Sequence, residues 1–212
     1  MKKVLLIILV LLLGGATAFW FFVLKGGKKG PKAEKTLVAI KGGKRSEAFN
    51  VSLQAMLSDY YALTEGLVNW DTTVVNKYSL QLQSSIEGVK IDELKDDTTG
   101  LYLTAQDPIA NAKTNVAAFI TAPTLDEKRV VFNQLSDNIR NLLQTLPPDS
   151  GIVYWQECPM AFGENSTGGW LSNKEEIRNP YLGTSHPKYK NSMLTCGEVR
   201  HTIKPDTTGL NK

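Results

Sequence analysis

Sulfur-containing side chains form the most suggestive chemical pattern in this sequence. Cys158-Pro159-Met160 is followed, 33 residues further on from 160 to 193, by a Met-x-x-Cys motif that runs from Met193 to Cys196. In an extended segment Cys158 and Met160 point to the same face, and in a helical turn Met193 and Cys196 converge. Thiolate and thioether sulfurs are the donors that soft Cu(I) and Ag(I) prefer, whereas zinc sites rarely use Met. The pattern therefore predicts a soft-metal site with these four sulfurs as ligands.

Other interpretations of the same residues remain open. In an oxidising compartment Cys158 and Cys196 could form a disulfide, which would stabilise the fold by about 2–4 kcal/mol. The methionines would then only fill the core, and buried free thiols are a third alternative. If a metal is bound, His186 or His201, the two histidines of the chain, could add an imidazole ligand.

Catalytic motifs are absent from the sequence. It contains no G-x-G-x-x-G, no Walker loop, no H-E-x-x-H and no G-x-S-x-G. A Cys–His nucleophile pair could be assembled from the cysteines and histidines, but nothing in their spacing supports one. We therefore predict that the protein is not an enzyme.

The charge distribution argues against nucleic-acid binding. The chain has 24 basic and 21 acidic residues and a net charge of +3. Ten of the basic residues and one acidic residue lie before residue 46, so 14 basic and 20 acidic residues remain in 46–212, a net charge of −6. A nucleic-acid-binding domain needs a basic face, so we predict no nucleic-acid partner.

The N-terminus carries an uncharged apolar segment. The 21 residues Val4–Leu24 would span about 31 Å as a helix, which is enough to cross a bilayer core. A cleaved signal peptide is the alternative, since Ala16-Thr17-Ala18 is an acceptable cleavage site. Cleavage there would leave a mature chain that begins Phe-Trp-Phe-Phe, which is a strongly apolar N-terminus for a soluble protein. We predict that residues 1–24 form an uncleaved signal anchor in the inner membrane.

The orientation of this anchor is indicated by two conflicting signals. Its short head with Lys2 and Lys3 is typical of exported proteins, whereas the basic Gly/Lys segment 25–45 would stay in the cytoplasm by the positive-inside rule. We interpret 25–45 as a flexible tether, for which contact with anionic lipid is an alternative. We predict a single-pass protein with its C-terminal domain in the periplasm.

Four apolar stripes at intervals of three and four residues predict four amphipathic helices. We therefore expect a mainly α fold, with residues 46–150 forming an antiparallel four-helix bundle. Asp71 is predicted to cap the second helix, Asp107-Pro108 to begin the third and Pro147-Pro148 to end the fourth. The stripes consist of Phe49, Leu53, Met56, Leu57, Tyr60, Leu63 and Leu67; Val74, Val75, Tyr78, Leu82, Ile86 and Val89; Ile109, Val116, Phe119 and Ile120; and Val131, Phe132, Leu135, Ile139, Leu142, Leu143 and Leu146.

Residues 151–212 differ from the helical region in composition. They contain both cysteines and both histidines and are rich in Gly, Pro and Asn. We predict a turn-rich module with short strands, such as Ile152 to Trp155, packed on the bundle. Trp170 and the Asn179-Pro180-Tyr181 turn supply the packing and chain reversal that would bring the two sulfur motifs together.

Four short segments resemble a known family: Cys-Pro-Met-Ala (158–161), Trp-Leu-Ser (170–172), Ile-Arg-Asn-Pro-Tyr-Leu-Gly (177–183) and Met-Leu-Thr-Cys-Gly (193–197). They are similar to domain of unknown function 3347, which occurs in bacterial envelope proteins. With the helices included, the resemblance covers roughly residues 47–200. That domain occurs alone behind an export signal, and also at the C-terminus of periplasmic membrane-fusion subunits of copper/silver-type efflux pumps.

The resemblance implies a periplasm-facing domain in heavy-metal handling. Together with the sulfur pattern, it leads us to expect a membrane-anchored domain that binds a soft ion such as Cu(I) or Ag(I) in metal tolerance or efflux. The alternative is a non-catalytic structural or partner-binding module with a Cys158–Cys196 disulfide, whose acidic bundle surface would dock an envelope protein.

Overall fold

The computed structural model describes residues 45–206. The predicted membrane anchor, residues 1–24, and the tether up to residue 44 lie outside this range. Between residues 45 and 206, no helix combines the length and the apolar character that a membrane span requires. The described elements are α1 (Glu47–Asn69), α2 (Thr72–Gly88), a 3-10 helix (Ile91–Leu94), α3 (Leu101–Thr121), α4 (Leu125–Thr145), β1 (Val153–Cys158), β2 (Gly168–Ser172) and β3 (Glu198–Ile203).

Side-chain caps explain where three of the helices begin. The Ser46 hydroxyl accepts the backbone N–H of Phe49 at 2.9 Å at the start of α1. The Asp71 carboxylate accepts two backbone N–H groups of the first turn of α2, each at 3.0 Å. Thr124 and Glu127 form a reciprocal capping box at the start of α4. The predicted cap at Asp71 is thus confirmed, and each cap satisfies N–H groups that have no partner within the helix.

The predicted start of the third helix at Asp107-Pro108 is wrong. Helix α3 begins at Leu101, seven residues before the predicted first helical residue Pro108, which lies inside it. A proline in a helix interior costs about 3 kcal/mol because it removes one hydrogen bond and crowds the preceding turn. The buried side chains of Leu101 and Ala105 continue the apolar stripe of α3 towards its N-terminus, and their burial offsets that penalty.

Consecutive helices pack against one another, and α4 also packs against β2. The first and last helices meet through Tyr60, whose hydroxyl lies 2.7 Å from the Ser136 hydroxyl and whose ring stacks on Phe132 at 5.4 Å. The same apolar core includes Trp155 and Trp170 from the strand region. The prediction of a mainly α fold with four helices and short strands is therefore confirmed for the described residues.

The strands form an antiparallel sheet in the order β2-β1-β3. Helical side chains close the outer edge of β2: the Gly169 N–H donates to the side-chain oxygen of Asn133 at 2.8 Å, and the Leu171 N–H donates to the Tyr60 hydroxyl at 3.1 Å. The central strand β1 begins at Val153, close to its predicted start at residue 152, and continues further than predicted. Its last residue is Cys158.

Candidate functional site

The two cysteines of the chain lie side by side. The Sγ atoms of Cys158 and Cys196 are 2.7 Å apart, and both residues are free thiols. Cys158, at the end of β1, is fully buried, whereas Cys196, which precedes β3, is partly exposed. The fold thus joins two chain segments that are 38 residues apart in sequence, and the sulfur pair sits at the boundary between the core and the solvent.

Gly168 and Gly197, which have no side chain, allow the two cysteine segments to approach each other closely. Gly168 lies opposite Cys158 in the sheet, and a Cβ atom at Gly168 would lie 2.8 Å from the Tyr181 ring. Gly197 follows Cys196 with φ +141°, and a Cβ atom there would lie 2.8 Å from the Glu157 carbonyl oxygen. A larger residue at either position would push the backbone or a packed ring away. The close approach of the cysteine segments therefore depends on both glycines.

The buried side chain of Asn179 fixes the segment that carries Cys196. Its Nδ2 donates to the Cys196 carbonyl oxygen at 2.8 Å, and its backbone N–H donates to the Leu194 carbonyl oxygen at 2.8 Å. Its Oδ1 accepts the backbone N–H groups of Tyr181 and Leu182 at 2.8 and 3.0 Å. The sequence predicted a turn at Asn179, but not that its side chain would bridge to the second sulfur motif.

Arg129 holds the Asn179 loop against the helices, a role that sequence reasoning missed. Its Nε donates to the Pro180 carbonyl oxygen at 2.9 Å and its Nη2 to the Leu67 carbonyl oxygen at 3.1 Å. The guanidinium also lies 3.8 Å from the centre of the Trp70 ring. Burial lowers the pKa of Arg129 to about 10, so the group remains charged at neutral pH. An arginine within an otherwise apolar helix stripe was the available signal.

Met160 and Met193, the two methionines of the predicted metal site, are partly buried and pack against the core. Met193 and Cys196 belong to one turn, closed by the Cys196 N–H donating to the Met193 carbonyl oxygen at 3.0 Å. Met160 lies two residues beyond Cys158, and its carbonyl oxygen accepts the Gly163 N–H at 3.3 Å. The structure therefore joins the two cysteines, and Met160 and Met193, both partly exposed, lie two and three residues from them in the chain.

His186 uses one ring nitrogen to stabilise its own loop. Its Nδ1 accepts the backbone N–H groups of Lys188 and Tyr189, each at 3.2 Å, and its ring stacks on Tyr189 at 4.9 Å. Burial and then the charge of Arg129 lower the pKa of His186. With Nδ1 accepting, the neutral ring carries its proton on Nε2. His186 lines a cavity of about 550 Å³ together with Met160, but a metal bond at Nε2 would require the proton to move to Nδ1, which would break both hydrogen bonds that Nδ1 accepts.

His201 lies on β3 opposite Trp155. Trp155 and Cys158 are three residues apart on β1, which corresponds to roughly 10 Å along the strand. The fold therefore does not bring His201 next to the cysteine pair. Within residues 45–206, no group of three or more His, Cys, Asp or Glu side chains is arranged to share a metal ion, so a metal site at the pair would depend on the thioethers.

The environment of the pair favours a protonated Cys196. Burial raises the pKa of the Cys196 thiol to about 12, and the hydrogen bond and charge of Cys158 act in the same direction. A metal ion or an electrophile that reacts with Cys196 at neutral pH must therefore displace a proton.

Comparison with protein families connects the helical region to one of them. Residues 56–151 match the model of a family described as "Protein of unknown function (DUF3347)". The match begins within α1 and ends just before β1, so all four sulfur residues lie outside it. The search of curated proteins and the search of solved structures found no match to the chain.

Proposed function

We propose that this chain, whose residues 56–151 match the DUF3347 family model, binds a soft metal ion such as Cu(I) or Ag(I) and is not an enzyme. The observation that carries the proposal is the 2.7 Å separation of the Cys158 and Cys196 sulfurs. Two thiols at this separation can hold one ion between them after a small outward movement of the partly exposed Cys196.

The donor set fits a soft ion better than a hard one. The segments joined at the pair supply two thiols and the thioethers of Met160 and Met193, and thiolate and thioether ligands select Cu(I). Apart from Cys158, these side chains are partly exposed, which gives an ion access from solvent. Because the thiols must lose protons on binding, and Cys196 holds its proton tightly, affinity should increase with pH.

In this function the site lies in the periplasm, tethered to the inner membrane through residues 4–24. The four helices, which pack in chain order, would form the antiparallel bundle that supports it. The acidic surface of residues 46–212 suits contact with another envelope protein, such as a heavy-metal efflux component. We infer that a membrane-anchored protein with such a metal site acts in metal tolerance or efflux.

A second candidate function is structural. The cysteine sulfurs are close enough for a disulfide to form with little backbone movement, and among the described residues no third strong ligand stands beside them. In this case a Cys158–Cys196 disulfide would fix the turn-rich module, and the protein would act as a partner-binding envelope module.

An anaerobic Cu(I) titration of the reduced full-length chain, with a competing chelator, separates the two functions. For a metal site, Met160→Leu and Met193→Leu should each lower Cu(I) affinity with little loss of stability, since Leu keeps size and apolarity. Met56→Leu, at a fully buried core position, is the matched control and should leave affinity unchanged. Binding that is absent, or that persists undiminished in Cys158→Ser, would refute the metal function.

A further inference from the structure

The sulfurs of the pair differ in their access to solvent. Cys158 has no exposed surface, whereas Cys196, whose sulfur lies 2.7 Å from that of Cys158, is partly exposed. An external reagent can therefore reach Cys196 directly, but can reach Cys158 only if the fold opens. Since thiol–disulfide exchange depends on access as well as on thiolate character, the two cysteines cannot have the same role in such a reaction.

We propose that Cys196 is a site of reversible thiol–disulfide exchange and that Cys158 is its resolving thiol. The reactant is a small-molecule or protein disulfide. This inference uses the same residues as the proposed metal site and adds a form of regulation, because the oxidised pair has no thiolate to offer to a metal ion.

The reaction proceeds in two balanced exchanges. The Cys196 thiolate attacks one sulfur of the external disulfide, which forms a mixed disulfide on Cys196 and releases one external thiol that takes up the proton. Cys158, after losing its proton, then attacks Cys196 Sγ, which forms the Cys158–Cys196 bond and releases the second external thiol. The two cysteines lose two electrons in total, and the external disulfide gains them as two thiols.

The fold favours the second exchange over retention of the adduct. The two Sγ atoms are already adjacent, so the resolving step needs little chain movement and is intramolecular, which makes it fast relative to any second encounter. Asn179 holds the Cys196 carbonyl, which keeps the loop in place after the adduct forms. The departing thiol leaves through the exposed side of Cys196.

The first exchange uses the thiolate form of Cys196, so its rate should increase with pH.

The test uses oxidised glutathione as the probe on the reduced full-length chain, with acid quenching and mass spectrometry of the intact protein and its peptides. The wild type should lose two hydrogens and retain no adduct. Cys158→Ser should retain one glutathione on Cys196. Cys196→Ser should react at least tenfold more slowly than Cys158→Ser while folded, and at a similar rate in urea, which shows that burial protects Cys158.

Several outcomes would overturn the assignment: a stable adduct on the wild type, no adduct on Cys158→Ser, or rapid modification of Cys158 in folded Cys196→Ser. The Cu(I) titration, repeated on reduced and oxidised wild type, gives an independent result. If neither form binds Cu(I) but the exchange order holds, the proposed metal function fails and the assignment of the two thiols stands.

Discussion

The amide group of Asn179 donates to the carbonyl oxygen of Cys196 at 2.8 Å, although 17 residues separate the two along the chain. The same side chain accepts two backbone N–H groups of its own turn. One buried polar residue thus connects the loop that packs on the helices to the segment that carries the exposed thiol. The position of Cys196 relative to Cys158 depends on this contact as much as on the sheet.

Asn179→Ala should destabilise the protein and loosen the cysteine pair. The change leaves the Cys196 carbonyl and the N–H groups of Tyr181 and Leu182 without their partner, and each buried polar group left unpaired costs about 1–3 kcal/mol. The free energy of unfolding from urea titration measures the effect. Asn173→Ala, at an exposed position, is the control and should stay within about 0.5 kcal/mol of wild type; equal losses in the two variants would contradict the role of Asn179.

Gly197→Ala should separate the two sulfurs. An alanine at φ +141° is strained, and its Cβ would contact the Glu157 carbonyl oxygen and the Trp170 ring at 2.8 and 2.9 Å, so we expect a loss of about 1–3 kcal/mol. Formation of the Cys158–Cys196 disulfide with oxidised glutathione should slow in parallel.

Gly88→Ala provides the control for this change. Gly88 ends α2 and has open space around the position of a Cβ, so alanine there should be neutral or slightly stabilising. A Gly197→Ala variant that matches Gly88→Ala in both stability and disulfide formation would show that close packing at residue 197 is not required.

The protein should lose stability as the pH falls below about 6.5, the ordinary pKa of His. Burial and the cations Arg129 and Lys188 lower the pKa of His186, and the opposing effect of Asp126 is smaller than that of Arg129. The folded state therefore resists protonation that the unfolded state accepts. The contribution of His186 is fully present above the unfolded pKa and decreases as the pH falls towards the folded pKa.

His186→Asn isolates this effect, because the Asn side-chain oxygen can accept the same two backbone N–H groups but does not titrate. Urea midpoints at several pH values between 8 and 5 should decrease more for wild type than for the variant. Asn173→Ala, which removes no titrating group at an exposed position, is the control and should keep the wild-type pH dependence. Identical profiles for wild type and His186→Asn would rule out His186 as the titrating group.

Alkaline phosphatase fused after Lys212 should be active in cells, because we expect residues 46–212 to lie outside the cytoplasm. Lys2 and Lys3 form the short basic head typical of export, and the cysteine pair suits an oxidising compartment. A fluorescent reporter of cytoplasmic location, fused at the same residue, should remain dark. Inactive phosphatase with a bright reporter would mean that the basic tether had determined the orientation.

Helix number and type were predictable from the sequence because an amphipathic stripe repeats with the period of the helix itself. Asp71 could be recognised as a cap because N-capping is a local interaction within one turn. Asp107-Pro108 misled for the same reason: it has the local pattern of a helix start, but burial of Leu101 against distant residues extends α3 past it. A local capping pattern therefore predicted the start of a helix only where tertiary packing did not extend the helix beyond it.

The sequence alone determined that two sulfur motifs occur in a turn-rich segment and which ions their side chains favour. The tertiary structure decided that Cys158 and Cys196 are adjacent, that only Cys196 faces solvent, and that His201 stays on another part of the sheet. Side-chain chemistry is a property of the residue, whereas proximity and exposure depend on strand register and on contacts such as that of Asn179, which connect residues far apart in the chain.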